Sequence, residues 1–381
     1  MGNTLTNLIP TMMVAVDRVS RELTGFIAAV SFFPSAEGVA KDQTIRWPVA
    51  PVSAAADITP AATGPAIGDQ TIGSDTMTIS KSRAVKFSWN GEEQVGAKAS
   101  YDTILAGQFA QGMRTLVNEI EADVAALHLG SSRAYGTAGT TPFASTLSEA
   151  AQVRKILVDN GAPSNDLQLV IDTASGAALR TLAQLSKANE AGGDDLLRRG
   201  ILLDIHGLAI RESSQVKTHT AGTGASATTN AAGYAVGATV ITLAVVGTGS
   251  ILVGDVVTFA GDTNKYVIVS GDASVADGGT ITIAEPGLRV AMSAAAKAIT
   301  VSASSVRNMA FSKSALYLAT RVPAKPEGGD SAVDVVTVTD PITGLSFLIS
   351  KYLQYHTVTY EVGIAWGVKN SKTAHTAILL G

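Results

Sequence analysis

The side chains that could carry chemistry are few and poorly spaced for it. The five histidines are His128, His206, His219, His356 and His375. None forms the His-x-x-x-His pair that sets two imidazoles on one helix face, and none lies in a Glu-bearing zinc signature. His128 falls near the end of a helical pattern, where a solvated or dipole-satisfying role fits better than metal ligation. No Gly-x-Ser-x-Gly elbow is present. The glycine-rich Gly222-Thr223-Gly224-Ala225-Ser226 lacks the Lys of a phosphate-binding loop and the third Gly of a dinucleotide loop. Asp194-Asp195 and Glu92-Glu93 are paired acids. Acid–base catalysis needs such a pair held in a pocket, and nothing here builds one. Lys81, Lys86 and Asn90 carry the groups of a Lys–Asn isopeptide bond, but no local pattern brings them together. There is no cysteine, which excludes thiolate chemistry and disulfides. The expectation is a protein that is not an enzyme and holds no metal or cofactor.

A chain without a site must work through its surfaces, so composition matters. Hydrophobic residues make up 46% of the 381 positions and charged ones 16%, against a usual ~25% charged. An Ala/Val/Thr-rich surface of this kind suits either coverage by copies of itself or an ordinary globular protein. Net charge is −4, with no basic stripe to neutralise phosphates. No apolar run approaches the ~18–20 residues of a membrane span.

The elements follow from periodicity. Leu8, Met12, Val16, Val19 and Leu23 step by threes and fours, giving an amphipathic arm that Pro34 closes. Thr44–Trp47 and Met77–Trp89 read as the two strands of an extended hairpin with a long Gly/Pro/Ser tip. Such a hairpin has no core of its own and must lie on something else. Its return strand bears Lys81, Arg83, Lys86 and Trp89, followed by Glu92 and Glu93. These six are candidates for contact with a neighbouring copy, or form a merely solvated stem. Tyr101, Leu105, Phe109, Met113, Leu116, Ile120, Val124 and Leu127 define a helix over 99–129, about 45 Å long at ~1.5 Å per residue. Residues 145–212 read as helix–strand–helix–strand, opened by the capping box Thr146–Glu149. Residues 216–237 have a Gly/Ala/Ser/Thr linker composition. Beyond them come short strands separated by turns, among them Gly261-Asp262-Thr263-Asn264, which suggest a small barrel over 237–305 that folds on its own. Ile241, Leu243, Val257, Phe259, Val267, Val269, Ile281 and Ile283 share strand parity in pairs and are expected in its core. After Ser305 strands and turns continue to the end, so the barrel interrupts an α+β domain.

This order of elements resembles the major capsid proteins of tailed phages, the fold named after phage Hong Kong 97 (HK97-like). The inserted barrel is similar to the "I-domain" of the coat proteins of short-tailed Salmonella phages. Local stretches agree: Ala15-Val16-Asp17 in the arm, Thr44-Ile45-Arg46-Trp47-Pro48-Val49 at the start of the extended loop, Gly254–Gly261 in the barrel, and Gly363–Asn370 near the end. The resemblance implies an N-terminal arm (1–38), an extended loop or E-loop (39–97), the spine helix of a P-domain (98–135), a first A-domain part (136–215), linker and I-domain (216–305), and an A-domain/P-domain return (306–381). It implies a coat protein that self-assembles through a procapsid into pentamers and hexamers of an icosahedral head. That shell encloses double-stranded DNA without binding it specifically. The protein is then expected in the virion, assembled in the bacterial cytoplasm with a portal protein, and with room for a decoration protein. No long helical extension stands before the arm, so a separate scaffolding protein is expected, held partly by Asp17 and Glu22. Two other readings stay open: an encapsulin-like cargo shell, which the inserted barrel disfavours, and a β-rich virion surface or tail protein, which the long helix disfavours.

Overall fold

The computed structural model describes residues 24–51, 71–97, 101–182, 204–340 and 343–381, together with 55, 57, 58, 60 and 185. The arm positions Asp17 and Glu22 lie outside the described residues. Along the chain, α1 (Gly25–Ala29) leads into β1 (Ser31–Val39), and β2 (Thr44–Val49) and β3 (Gly73–Thr78) follow. Then come β4 (Lys81–Asn90), α2 (Gly91–Ala97) and the long α3 (Tyr101–Ala125), which ends in a 3-10 turn at Ala126–Gly130. An α/β unit contains β5 (Arg133–Tyr135), α4 (Ser148–Asp159), β6 (Leu167–Ile171), α5 (Thr173–Thr181) and β7 (Leu208–Glu212). Short strands succeed it: β8 (Thr218–His219), β9 (Val240–Thr242), β10 (Val256–Phe259), β11 (Lys265–Ser270), β12 (Thr280–Ile283) and β13 (Ile299–Val301). The chain closes with β14 (Ser305–Ser312), β15 (Leu316–Pro323), β16 (Ala332–Thr339), β17 (Ser346–Gln354), β18 (Thr357–Asn370) and β19 (Thr376–Leu380).

Two large sheets and α3 make the body. The six-stranded sheet runs β1-β15-β18-β17-β16, with β4 also on β18. One face of it packs on α3, whose Leu105, Phe109, Met113, Leu116, Ile120 and Val124 are buried as the periodicity requires. Residues 31–39, which the sequence places at the end of the helical arm, form strand β1, paired parallel to β15 at the sheet edge. Pro34 sits there beside a register shift, a position where its missing N–H costs little.

The expected hairpin divides. β3 pairs with β2 from Thr44↔Thr78 to Val49↔Gly73. Past Ile79 and Ser80 the chain changes partner, and β4 pairs with β18 from Trp366↔Lys81 to Thr357↔Asn90. Val85, Phe87 and Trp89 supply the reason. On β4 they reach the α3 core, whereas a free two-stranded ribbon has no core for them.

The short strands close into a ring. Its order is β13-β10-β11-β12-β9, and the segment around Thr228 joins the ends, bridging Thr229 to Leu243 and Thr228 to Ala298. The Thr229 N–H donates to the Lys297 carbonyl at 2.9 Å, and Ala244 N–H to the Thr228 carbonyl at 2.9 Å. Residues 216–237 are therefore no linker. Their small side chains permit close backbone packing: a Cβ on Gly222 would lie 2.4 Å from the Ser250 carbonyl oxygen. The ring hangs on a paired stalk, Ser305↔His219 and Val306↔Thr218. It is also continuous with the larger sheet, because β11 pairs with β5.

Ile241, Leu243, Val257, Phe259, Ile281 and Ile283 face the ring core together with Tyr266 and Ile268. Val267 and Val269 do not. Val267 belongs to a separate cluster with Ala134, Val256, Ile378 and Leu380, and Val269 is 42% exposed. The ladder register decides this by setting Tyr266 opposite Val257 and Val267 opposite Val256. Both parities of β11 are apolar, so alternation alone could not tell the faces apart.

Candidate functional site

The six charged or aromatic candidates lie in one line along β4 and the start of α2. The odd positions of β4 turn toward α3. Lys81 Nζ lies 2.8 Å from Asp123 and 3.3 Å from Glu119, and Arg83 Nε lies 3.1 Å from Glu119. Burial would depress the Lys81 pKa, but the two carboxylates outweigh it and raise the value. Phe87 meets Phe109 edge-on at 5.0 Å, and Trp89 meets Tyr101 at 5.2 Å. Trp89 Nε1–H donates to Gln108 Oε1 at 2.7 Å. Lys86 pairs across the ladder with Glu361 at 3.3 Å, its side chain 64% exposed. Glu93 and Asn90 cap α2 reciprocally, at 2.7 and 2.9 Å. Lys81, Arg83, Lys86, Trp89 and Glu93 thus have partners within their own chain, and Glu92 is exposed in the first turn of α2.

Among the described residues, the β2–β3 ribbon is held at its root. Met77 and Ile79 bury against Ala319 and Ala365, with Trp47 and Tyr317 beside them. Trp47 and Tyr317 rings are 5.0 Å apart, and Lys369 Nζ stands 5.8 Å from the Trp47 ring. Asp75 accepts from Lys369 and from the Ser371 hydroxyl. Burial pushes its pKa up, but these bonds and the Thr76 N–H pull it below the usual carboxylate range. Gly367 lets the ribbon approach, since a Cβ there would sit 2.1 Å from the Thr78 carbonyl oxygen. Away from the root, Ile58, Ile72 and Val49 are 97%, 69% and 43% exposed. Asp75 and Lys369 escaped the sequence reading because 294 positions separate them.

A cleft of about 440 Å³ opens where the ring meets the α/β unit, lined by Arg133, Glu149, Gln152, Lys155, Asp159 and Lys265 among others. Its charges are largely committed. Arg133 is buried and reaches Asn264, Asn160, the Ile156 carbonyl and Asp159 at 3.1–3.8 Å. Lys265 donates to the Gly136 carbonyl, and burial lowers its pKa.

Next to the stalk, His128 is buried and not solvated. Its Nδ1–H donates to the Ala125 carbonyl at 2.9 Å, and its ring meets His219 at 5.9 Å. Burial pushes the His128 pKa down to about 4. His219 Nε2 bonds Asp255 at 2.9 Å, and Asp255 also accepts from the Leu252 N–H at 2.7 Å. Among the described residues no group of three or more His, Asp or Glu could hold a metal ion, and no helix is long and apolar enough to cross a membrane.

No family model and no curated protein matches the sequence. Solved structures do. A chain from Mycobacterium phage Che8 aligns with TM-score 0.45 and 11% identity, covering 96% of this chain and 90% of that one. A chain of the capsid of a native GTA particle aligns with TM-score 0.46 and 11% identity over 94% and 90%. A virus-like particle from Pyrococcus furiosus gives TM-score 0.42 and 10% identity over 97% and 96%.

Proposed function

We propose that this chain is a major capsid protein, a coat subunit that assembles into the pentamers and hexamers of an icosahedral phage head around double-stranded DNA. The observation that carries the reading is the ribbon. Two strands clamped at their root leave Ile58, Ile72 and Val49 uncovered, and such a ribbon is marginal in water unless something packs on it. A neighbouring copy is the partner that a self-assembling shell supplies.

In this reading the fold is HK97-like. The ribbon is the extended loop, α3 the spine of the P-domain, and the α/β unit with β14 and β19 the A-domain. The ring between β8 and β14 is the inserted I-domain. Lys86 and Glu92, still accessible, are the β4–α2 candidates for contact between copies; Lys81, Arg83, Trp89 and Glu93 stiffen the platform that carries them. Asp17 and Glu22 of the arm bind a scaffolding protein, a portal protein occupies one vertex, and a decoration protein is a further partner. The net charge of −4 suits a lining that releases DNA during packing. The shell belongs to the virion and forms in the bacterial cytoplasm.

Negative-stain microscopy of the purified protein tests this, alone and with any co-expressed scaffold. Closed shells are expected. Monomers or small open oligomers under all these conditions overturn it.

A further inference from the structure

Three buried polar side chains meet where α3 ends against the stalk of the ring. Arg307 and Ser305 alternate with Val306 on β14, so both point to one face of the sheet. Met309 and Phe311 continue that face and share a cluster with Val124 and Ala125 at the end of α3. His128, in the turn after α3, lies over it: its ring meets His219, and His219 stands opposite Ser305 in the stalk ladder. Arg307 is 1% exposed, and Ser305 and His128 are 4% exposed each. Among the described residues, Nε, Nη1 and Nη2 of Arg307, Oγ of Ser305 and Nε2 of His128 have no hydrogen-bond partner. Buried groups of this kind are paired in native proteins with protein, water or ions, and an unpaired guanidinium is the costliest of them to leave.

The neighbouring carboxylate is already engaged. Asp255 is the acid whose field reaches Arg307. Its Oδ1 bonds His219 Nε2 at 2.9 Å, its Oδ2 accepts from the Leu252 N–H at 2.7 Å, and both oxygens lie 3.1 Å from the Gly222 nitrogen. Lys217 adds a second positive charge, since it and Arg307 both act on His128.

The three side chains define what they can hold. The Arg307 fork and the Ser305 hydroxyl donate, so the partner accepts hydrogen bonds and carries negative charge. His128 donates through Nδ1 to the Ala125 carbonyl at 2.9 Å, so the neutral ring presents a bare lone pair at Nε2. The partner must therefore also donate a hydrogen. A halide cannot do both, and an oxyanion that keeps a proton can.

We propose that Arg307, Ser305 and His128 bind a small hydrogen-bearing oxyanion of the dihydrogen phosphate or bicarbonate type. Its oxygens accept from the guanidinium and the Ser305 hydroxyl, and its own O–H donates to His128 Nε2. The burial of all three groups admits a free ion and not a phosphate held in a nucleic-acid chain. Bound there, the ion ties the end of α3 to the stalk that carries the ring.

Titration calorimetry with inorganic phosphate on the full-length unassembled chain tests this at about pH 6.5 and constant ionic strength. It requires no shells, so its outcome is separate from that of the coat-protein reading. Saturable binding of one phosphate per chain is expected. Arg307→Met should weaken it on the order of tenfold to a hundredfold. Ser305→Ala should weaken it by a smaller factor, and it serves if the first variant does not fold. Sulfate has the same shape but no hydrogen to give, and should bind about tenfold more weakly than phosphate. Bicarbonate should compete with phosphate, and short duplex DNA should not. No saturable uptake by the wild type overturns the site, which is the result if a carboxylate from residues outside the described ones pairs with Arg307. Equal uptake by the wild type and the variants means an adventitious ion only and overturns it too. Sulfate binding as tightly as phosphate overturns the part given to His128, and competition by DNA overturns the enclosed site.

Discussion

The ribbon β2–β3 and strand β4 are separated only by Ile79 and Ser80, yet they are held by different means. β4 is held in two ways. Its backbone pairs with β18 along its full length, and its odd side chains meet α3 through aromatic contacts and ion pairs. The ribbon has a ladder to itself and a root, and beyond that its apolar residues meet no cover within the described chain. Alternating strands with mixed charges are therefore a poor guide to which segment stays uncovered in the single chain. β4 has the more conspicuous charges and uses them internally. The ribbon has the blander sequence and presents the uncovered surface.

The largest effect that would sharpen this contrast lies at the seam. Phe109 contacts both Phe87 and Tyr360. Phe109→Ala should cost about 3–5 kcal/mol in urea unfolding. A loss below about 1 kcal/mol would mean that β4 is no better anchored than the ribbon.

Acid should separate the two regions next. His128, at the end of α3, has its pKa depressed from 6.5 to about 4. Its contribution is present above pH 6.5 and lost as pH falls toward 4, on the order of 3 kcal/mol. The ribbon root depends on Asp75, whose depressed pKa keeps the Lys369 pair intact to lower pH. The measurement is the difference in stability between wild type and His128→Phe across pH 4–7. A difference that does not change with pH would contradict the buried neutral imidazole.

Gly367→Ala should push the ribbon off the sheet, costing about 1–3 kcal/mol. Exchange protection over 73–79 should fall while β16–β17 keep theirs. Equal loss in both would mean that the ribbon root and the body are one cooperative unit.

The smallest effect on stability is expected from surface changes. Lys86→Glu breaks an exposed pair worth ~0–1 kcal/mol, and Ile72→Ala should be near neutral. Both should leave the chain folded. Ile72→Ala should lower shell yield more than Lys86→Glu, and the reverse order would return the main contact to β4.

The ring shows the same limit on local reading. Its strands and turns were legible, and most of its core residues as well. The segment that closes it was not. An excised 237–305 piece would lack the closing segment around Thr228 and the β5 partner of β11. Glycine- and threonine-rich stretches carry no hydrophobic period, so residues 216–237 read as linker, although close backbone packing requires their small side chains.

What the sequence by itself determined is what depends on neighbours a few positions apart: the buried face of α3, the β2–β3 turn-back, the helical run of α4 (though its start at Leu147 carries no side-chain cap), the succession of short strands, and the absence of catalytic or metal motifs. Only the tertiary structure decided which strand leaves the hairpin for β18, which face of β11 looks inward, and that Glu121 and Asp75 find their partners 94 and 294 positions away. The physical reason is that strand register and buried charge are settled by competition among distant partners for a limited apolar volume. Where two faces of a strand are equally apolar, or a carboxylate sits in an otherwise regular helix, local pattern holds no information about the outcome.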